Sequence, residues 1–106
     1  MWAYYDGQWV DSTTPVLKLN NRGFIYGDGL FESIRCSRGK AKFLSLHVER
    51  LLAGAAVLSL NCDFITEKFL NEIIFEINQR NKFLAGSKLR LVLTRNSGGT
   101  YLPEQN

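Results

Sequence analysis

The residues best suited to chemistry are Arg50, Arg90, the lone histidine His47 and a glycine-flanked aspartate, Asp28. Arg50 follows His47 by three positions and precedes Gly54 by four, so on a helix the three share a face. An arginine in the first turns of a helix is unfavourable for the helix dipole, but it can offer an arriving anion a planar fork of donors. The small residues at 53–56, AGAA, permit close approach beside it. A solvated arginine on an amphipathic helix is the plainer reading. Arg90 alternates with Leu89 and Leu91, so it could line a cleft and bind a carboxylate, or stand as an ordinary exposed strand arginine. The Gly27-Asp28-Gly29 turn is flanked by Phe24, Ile25, Tyr26, Leu30 and Phe31 rather than by solvated residues. Glycine lets another backbone or a ligand come close, and an aspartate can bond neighbouring amides and hold a turn shut. The turn could therefore aim Tyr26 and Phe31 at a pocket; otherwise it is a sharp corner feeding a strand.

Other chemistries find little support. A single histidine, with no serine or cysteine pair around it, makes neither a nucleophilic triad nor a zinc site, and a packing or capping role suits it better. Ser97-Gly98-Gly99 could form an anion nest. The chain has no phosphate-loop signature, no dinucleotide fingerprint and no Cys/His metal cluster.

The elements that must position these residues follow from periodicity. The segment WAYYDGQWV predicts a hairpin, with Asp6-Gly7 as its positive-φ turn. A short strand is expected at residues 16–19, after Pro15. Over residues 31–37 the chain alternates, with Phe31, Ser33 and Arg35 on one face and Glu32, Ile34 and Cys36 on the other. SRGK turns this strand, and residues 41–43 return beside it. Ser45 is the expected cap of a helix over residues 46–60, whose inward stripe is Val48, Leu51, Leu52, Ala55 and Leu58. Thr66 caps a second helix reaching Asn81, with Phe69, Leu70, Ile73, Ile74 and Ile77 inward. A last strand covers residues 89–94, and a Gly/Pro loop follows from Asn96 through Pro103. The fold class is α+β: a mostly antiparallel sheet with two consecutive helices packed on one face.

Composition bounds the function classes. A chain of 106 residues with 45% apolar and 22% charged residues should fold as one domain. A net charge of +3, with its bases scattered, argues against a nucleic-acid partner. Cys36 and Cys62 read as two reduced, packed thiols. With no leader and no long apolar run, no membrane partner is expected and the location expected is the cytoplasm. An end within a Gly/Pro loop suggests one piece of a longer chain.

The stretch RGFIYGDGLFESIRCSRGKAKFLSLHVERLLAGAAVLSL resembles the first domain of the class IV (fold-type IV) pyridoxal-phosphate enzymes. These include branched-chain aminotransferases, D-amino-acid aminotransferases and aminodeoxychorismate lyases. The motifs that carry the resemblance are Gly27-Asp28-Gly29-Leu30-Phe31-Glu32 and His47-Val48-Glu49-Arg50-Leu51, and it continues more loosely through LRLVLTRNSGG. It implies that residues 1–106 are the N-terminal domain of such an enzyme and that Arg50 binds the phosphate of pyridoxal 5'-phosphate. It places Tyr26 and Phe31 in the pocket wall and Arg90 where branched-chain members hold a substrate carboxylate. Tyr101 falls in a loop that reaches a neighbouring subunit, which implies a homodimer acting on a small amino-acid-like substrate. The family's catalytic lysine lies in the second domain. None of Lys18, Lys40, Lys42, Lys68, Lys82 or Lys88 matches it, so no catalytic residue is assigned here and the chain alone should be inactive. The SGG loop, the compact N-terminus and LNCDF look nearest to the lyases. The rival reading is a non-catalytic α+β module that keeps the fold and binds a partner or phosphate ligand.

Overall fold

The computed structural model describes residues 1–21 and 26–95. Strands β1 (Trp2–Tyr5) and β2 (Gln8–Asp11) pair antiparallel as a hairpin with Trp2 opposite Asp11. Its turn residues Asp6 and Gly7 both take positive φ, as a two-residue hairpin turn requires. The second sheet has the order β4-β3-β5. Its central strand is β3 (Gly29–Ser37), paired antiparallel along its whole length with β5 (Gly86–Thr94) and at one end with the short β4 (Lys40–Ala41). Helices α1 (Leu44–Val57) and α2 (Glu67–Arg80) cover one face of this sheet.

The register settles which side chains share a face. Glu32 opposes Leu91, Ile34 opposes Leu89 and Leu30 opposes Leu93, so these six face the helices. Ile34, Cys36 and Leu93 are buried there with Val48, Leu51 and Ala55 of α1 and Leu70 and Ile74 of α2. The other face carries Phe31 opposite Val92 and Ser33 opposite Arg90, and both Phe31 and Val92 are exposed. The aromatic hairpin docks on α2. Arg80 lies 4.8 Å over Trp2 and 4.5 Å over Trp9. Asn81 closes the contact as a strand neighbour would, accepting from Trp2 N–H (2.6 Å) and donating to Trp2 C=O (2.9 Å).

The α+β class, the hairpin, the parity of β3 and the Thr66 cap, whose Oγ1 accepts from Phe69 N–H at 3.0 Å, are as the sequence predicts. Several expectations are corrected: Leu52, expected in the inward stripe of α1, is exposed, and the return strand is Lys40–Ala41 rather than residues 41–43. Residues 16–19 form no strand: Leu17 and Leu19 are exposed, and among the described residues no strand lies beside them to supply a ladder. Helix α1 starts at Leu44, not after Ser45. Its N-cap is Phe43 in the left-handed region (φ 58°) with no side-chain cap, while Ser45 Oγ donates to Glu67 Oε1 at 2.8 Å and ties the two helices together. The helix ends at Val57 because Ser59 turns left-handed (φ 57°), although Leu60 still reaches the core. Both cysteines are free; Cys36 is buried, and burial pushes the half-buried Cys62 thiol up.

Candidate functional site

Alternation along β3 turns Glu32 inward, onto the face it shares with Ile34 and Cys36. A carboxylate on that face is costly unless it is paired. Helix α1 crosses close by, because Gly54 has no side chain: a Cβ there would stand 3.1 Å from both Leu30 methyls. One helical turn earlier, His47 and Arg50 both reach Glu32. His47 donates Nδ1–H to Oε1 at 2.6 Å; Arg50 donates Nη2–H to Oε1 at 2.7 Å and Nε–H to Oε2 at 3.0 Å. The carboxylate is 8% exposed, whereas the Arg50 side chain is 71% exposed. Chiefly the Arg50 hydrogen bonds, against the cost of burial, hold the Glu32 carboxyl below its ordinary value, and the same contact raises Arg50 further.

Arg50, Glu32, Leu30, Phe31, Ser33 and Gly54 line an open cleft of about 520 Å³. Among the described residues its lining holds no lysine, cysteine or histidine beside the Ser33 hydroxyl, so its chemistry is recognition: a guanidinium, held from behind, with donors left over for an anion. A larger hollow, about 780 Å³, lies between Lys40, Phe43, Ser45, Lys68 and Asn71 and shares no residue with this cleft.

The two glycines of the Gly-Asp-Gly turn meet separate needs, although Gly27 itself is exposed. Gly27 takes φ +64°, whereas Gly29 takes an ordinary φ but leaves no room: its Cβ would stand 2.8 Å from Leu93 O and from Thr94 Cγ2. Arg95 locks the turn in place. Its Nε stands 3.3 Å from Asp28 Oδ2, its backbone N–H donates to Asp28 C=O at 3.3 Å, and its Nη2 donates to Leu58 C=O after the end of α1. The turn is therefore tied to the helix that carries Arg50.

Of the residues singled out from sequence, Arg50 and Phe31 meet at the cleft. Arg90 stacks 4.5 Å over the Phe31 ring, on the sheet face away from the helices. Tyr26 is exposed and is not among the cleft's lining residues. Tyr101 and the Ser97-Gly98-Gly99 nest lie outside the described residues. His47, expected to pack or cap, instead grips a carboxylate. Glu32 and Arg95 carry roles that reading the sequence missed. An acid in phase with Ile34 and Cys36 was the available signal for Glu32. Among the described residues no three His, Cys, Asp or Glu side chains gather as a metal site, and no helix is long and apolar enough to cross a membrane.

The family model of amino-transferase class IV matches residues 29–106. A Methanocaldococcus jannaschii protein provisionally assigned as a branched-chain-amino-acid aminotransferase is 31% identical over 98 residues, which is 92% of this chain and 33% of that protein. The branched-chain aminotransferase of Thermoproteus uzoniensis, solved with norvaline, superimposes with a TM-score of 0.75 at 28% identity over 87% of this chain and 32% of its own. The 4-amino-4-deoxychorismate lyase of Pseudomonas aeruginosa gives 0.64 at 28% identity over 80% of this chain and 29% of its own. The chain thus spans about a third of the length of the relatives it matches.

Proposed function

The chain belongs to the class IV amino-transferase family, and from that premise we propose that it is the N-terminal, cofactor-anchoring part of a longer pyridoxal-phosphate enzyme acting on amino-acid-like substrates. The observation that carries the reading is the Arg50 guanidinium, fixed on one edge by a buried carboxylate and exposed at an open cleft. These residues fit a phosphate: the cleft offers a permanent cation with spare planar donors, which suits a doubly charged tetrahedral anion. When bound, pyridoxal phosphate supplies the electron sink for reactions at an amino acid's α-carbon. The residues of this chain do the holding. Arg50 anchors the phosphate, and Phe31 walls the substrate side. Arg90, stacked on Phe31, receives a substrate carboxylate; on the family pattern Tyr26 belongs to the substrate-pocket wall, outside the cleft that Arg50 lines. On the family pattern, Tyr101 reaches a second copy, so the working unit is a homodimer in the cytoplasm. The catalytic lysine comes from a further domain.

Purifying the protein at its natural length tests this. Mass measurement and borohydride reduction in the presence of pyridoxal phosphate should find one labelled lysine beyond residue 106, and none of Lys18, Lys40, Lys42, Lys68, Lys82 or Lys88 labelled stoichiometrically. A natural protein that ends at Asn106 and takes no label would leave the rival reading, a non-catalytic binding module.

A further inference from the structure

We propose that Glu32 is a positioning residue, whose buried carboxylate, gripped by His47, sets the plane of the Arg50 guanidinium so that its remaining donors stand preformed for a phosphate. The inference rests on the reading of the cleft as a phosphate site. A guanidinium is planar, so fixing one edge fixes the direction of every other N–H. Glu32 takes the Nε/Nη2 edge, and among the described residues no hydrogen bond uses Nη1. The Nη1/Nη2 end is therefore free while its orientation is determined. The anchor itself is held in place. It lies on β3, where the ladder to β5 places it opposite Leu91, it is buried, and His47 Nδ1 at 2.6 Å gives Oε1 a donor besides Arg50.

Two effects of Glu32 on an anion oppose each other. Its negative charge weakens the attraction, but the cleft is open and the repulsion is screened by solvent and salt. Its grip removes the rotamer freedom that a long side chain, 71% exposed, would otherwise lose on binding. Screening does not touch that second effect, so positioning should win. The sign of one substitution then separates the two roles: Glu32→Gln, which deletes the charge, should tighten phosphate binding if Glu32 acts only as a nearby anion, and weaken it if Glu32 positions Arg50.

The experiment uses the protein at its natural length, with pyridoxal 5'-phosphate and inorganic phosphate as probes. Affinity is read by equilibrium titration, and the hold on Arg50 by the solvent exchange of its Nε–H resonance in ¹⁵N NMR. Glu32→Gln should speed that exchange and weaken both probes about 3- to 30-fold. In an Arg50→Ala background the same substitution should change affinity less than about twofold, since a residue that acts through Arg50 has nothing left to position. His47→Ala keeps both charges of the pair and loosens only the anchor; it should give the same changes in smaller measure, and His47→Asn, which restores a donor near Nδ1, should reverse them. This second series decides the matter if Glu32→Gln does not fold. Unchanged or tighter binding in Glu32→Gln, or in a His47→Ala series standing in for it, overturns the positioning role and leaves the phosphate site intact. Unchanged binding in Arg50→Ala overturns the phosphate site itself.

Discussion

The two glycines of the Gly27-Asp28-Gly29 turn should answer substitution in opposite ways, because the structure needs each for a different reason. At Gly27 the backbone is left-handed (φ +64°), but a Cβ would meet nothing within 4 Å. Alanine there costs the left-handed strain, roughly 1–2 kcal/mol, and regains about 0.4–1 kcal/mol through the stiffer unfolded chain. The net loss is about 1 kcal/mol, and asparagine, which tolerates this region, should come close to neutral. At Gly29 the backbone is unstrained, but a Cβ would stand 2.8 Å from the carbonyl oxygen of Leu93 and from Thr94 Cγ2. The carbonyl cannot step aside, because Gly29 and Leu30 lie opposite Thr94 and Leu93 where the β3–β5 ladder begins. Overpacking of this kind costs about 1–3 kcal/mol, and asparagine should be worse than alanine. Urea unfolding followed by tryptophan fluorescence measures all four variants. If Gly29→Asn is as stable as Gly27→Asn, the close approach is wrong and the turn is only a corner.

Leu93→Ala should cost about 2–5 kcal/mol in the same titration and Leu91→Ala less, because Leu93 is buried while Leu91 is half-buried; equal losses would mean that the helices cover β5 differently. Glu32 titrates below its ordinary 4.5, so its stabilising effect is complete above 4.5 and is lost as pH falls through the lowered folded value. Asp11 is also lowered, by its hydrogen bonds with Thr13, so the informative quantity is the difference between the parent and Glu32→Gln, which should shrink on acidification below about pH 4.5; a difference constant from pH 7 to 3 would refute the pairing. Arg50→Ala should weaken pyridoxal phosphate about 10- to 150-fold by visible absorbance titration, and Arg50→Lys should recover only part of this, since an ammonium lacks the planar fork.

How far the sequence reveals these features depends on whether the signal is local. The strand β3 is legible because its parity is written in consecutive residues, with Ile34 and Cys36 alternating against Ser33 and Arg35. The Thr66 cap is legible because a hydroxyl and the amide it serves lie three residues apart. The start of α1 is not, because its cap is Phe43 in a conformation that a bulky residue rarely takes and that no composition rule marks. Residues 16–19 carry some strand character, but a strand exists only where a partner lies beside it, and pairing is not a local property. Glu32 falls between these cases. Its inward position follows from alternation, and the shared face of His47 and Arg50 follows from helical spacing. That the two faces meet follows from neither, since it depends on Gly54 letting α1 settle onto Leu30. Arg95 gave no signal, because its partners Asp28 and Leu58 are 67 and 37 positions away.

The adjacency of Phe31 and Glu32 then has a physical explanation. Neighbouring residues of a strand point to opposite faces. One step along β3 therefore separates the carboxylate that holds Arg50, on the helix side, from the aromatic ring that carries Arg90, on the open side. The cleft lies where those sides meet, and its lining includes both Phe31 and Glu32. Along Leu30 to Ser33 the strand has β5 on one edge and, among the described residues, no strand on the other, since β4 pairs only with Cys36 and Ser37. On the function proposed above, a cofactor anchored by Arg50 would lie on the side of that edge, with its substrate toward Phe31 and Arg90. Two cations are held on opposite sides of one strand, each by its own partner, so they share no ligand and do not face each other across the sheet. If the proposed roles hold, that division would let one strand serve a phosphate and a carboxylate at once.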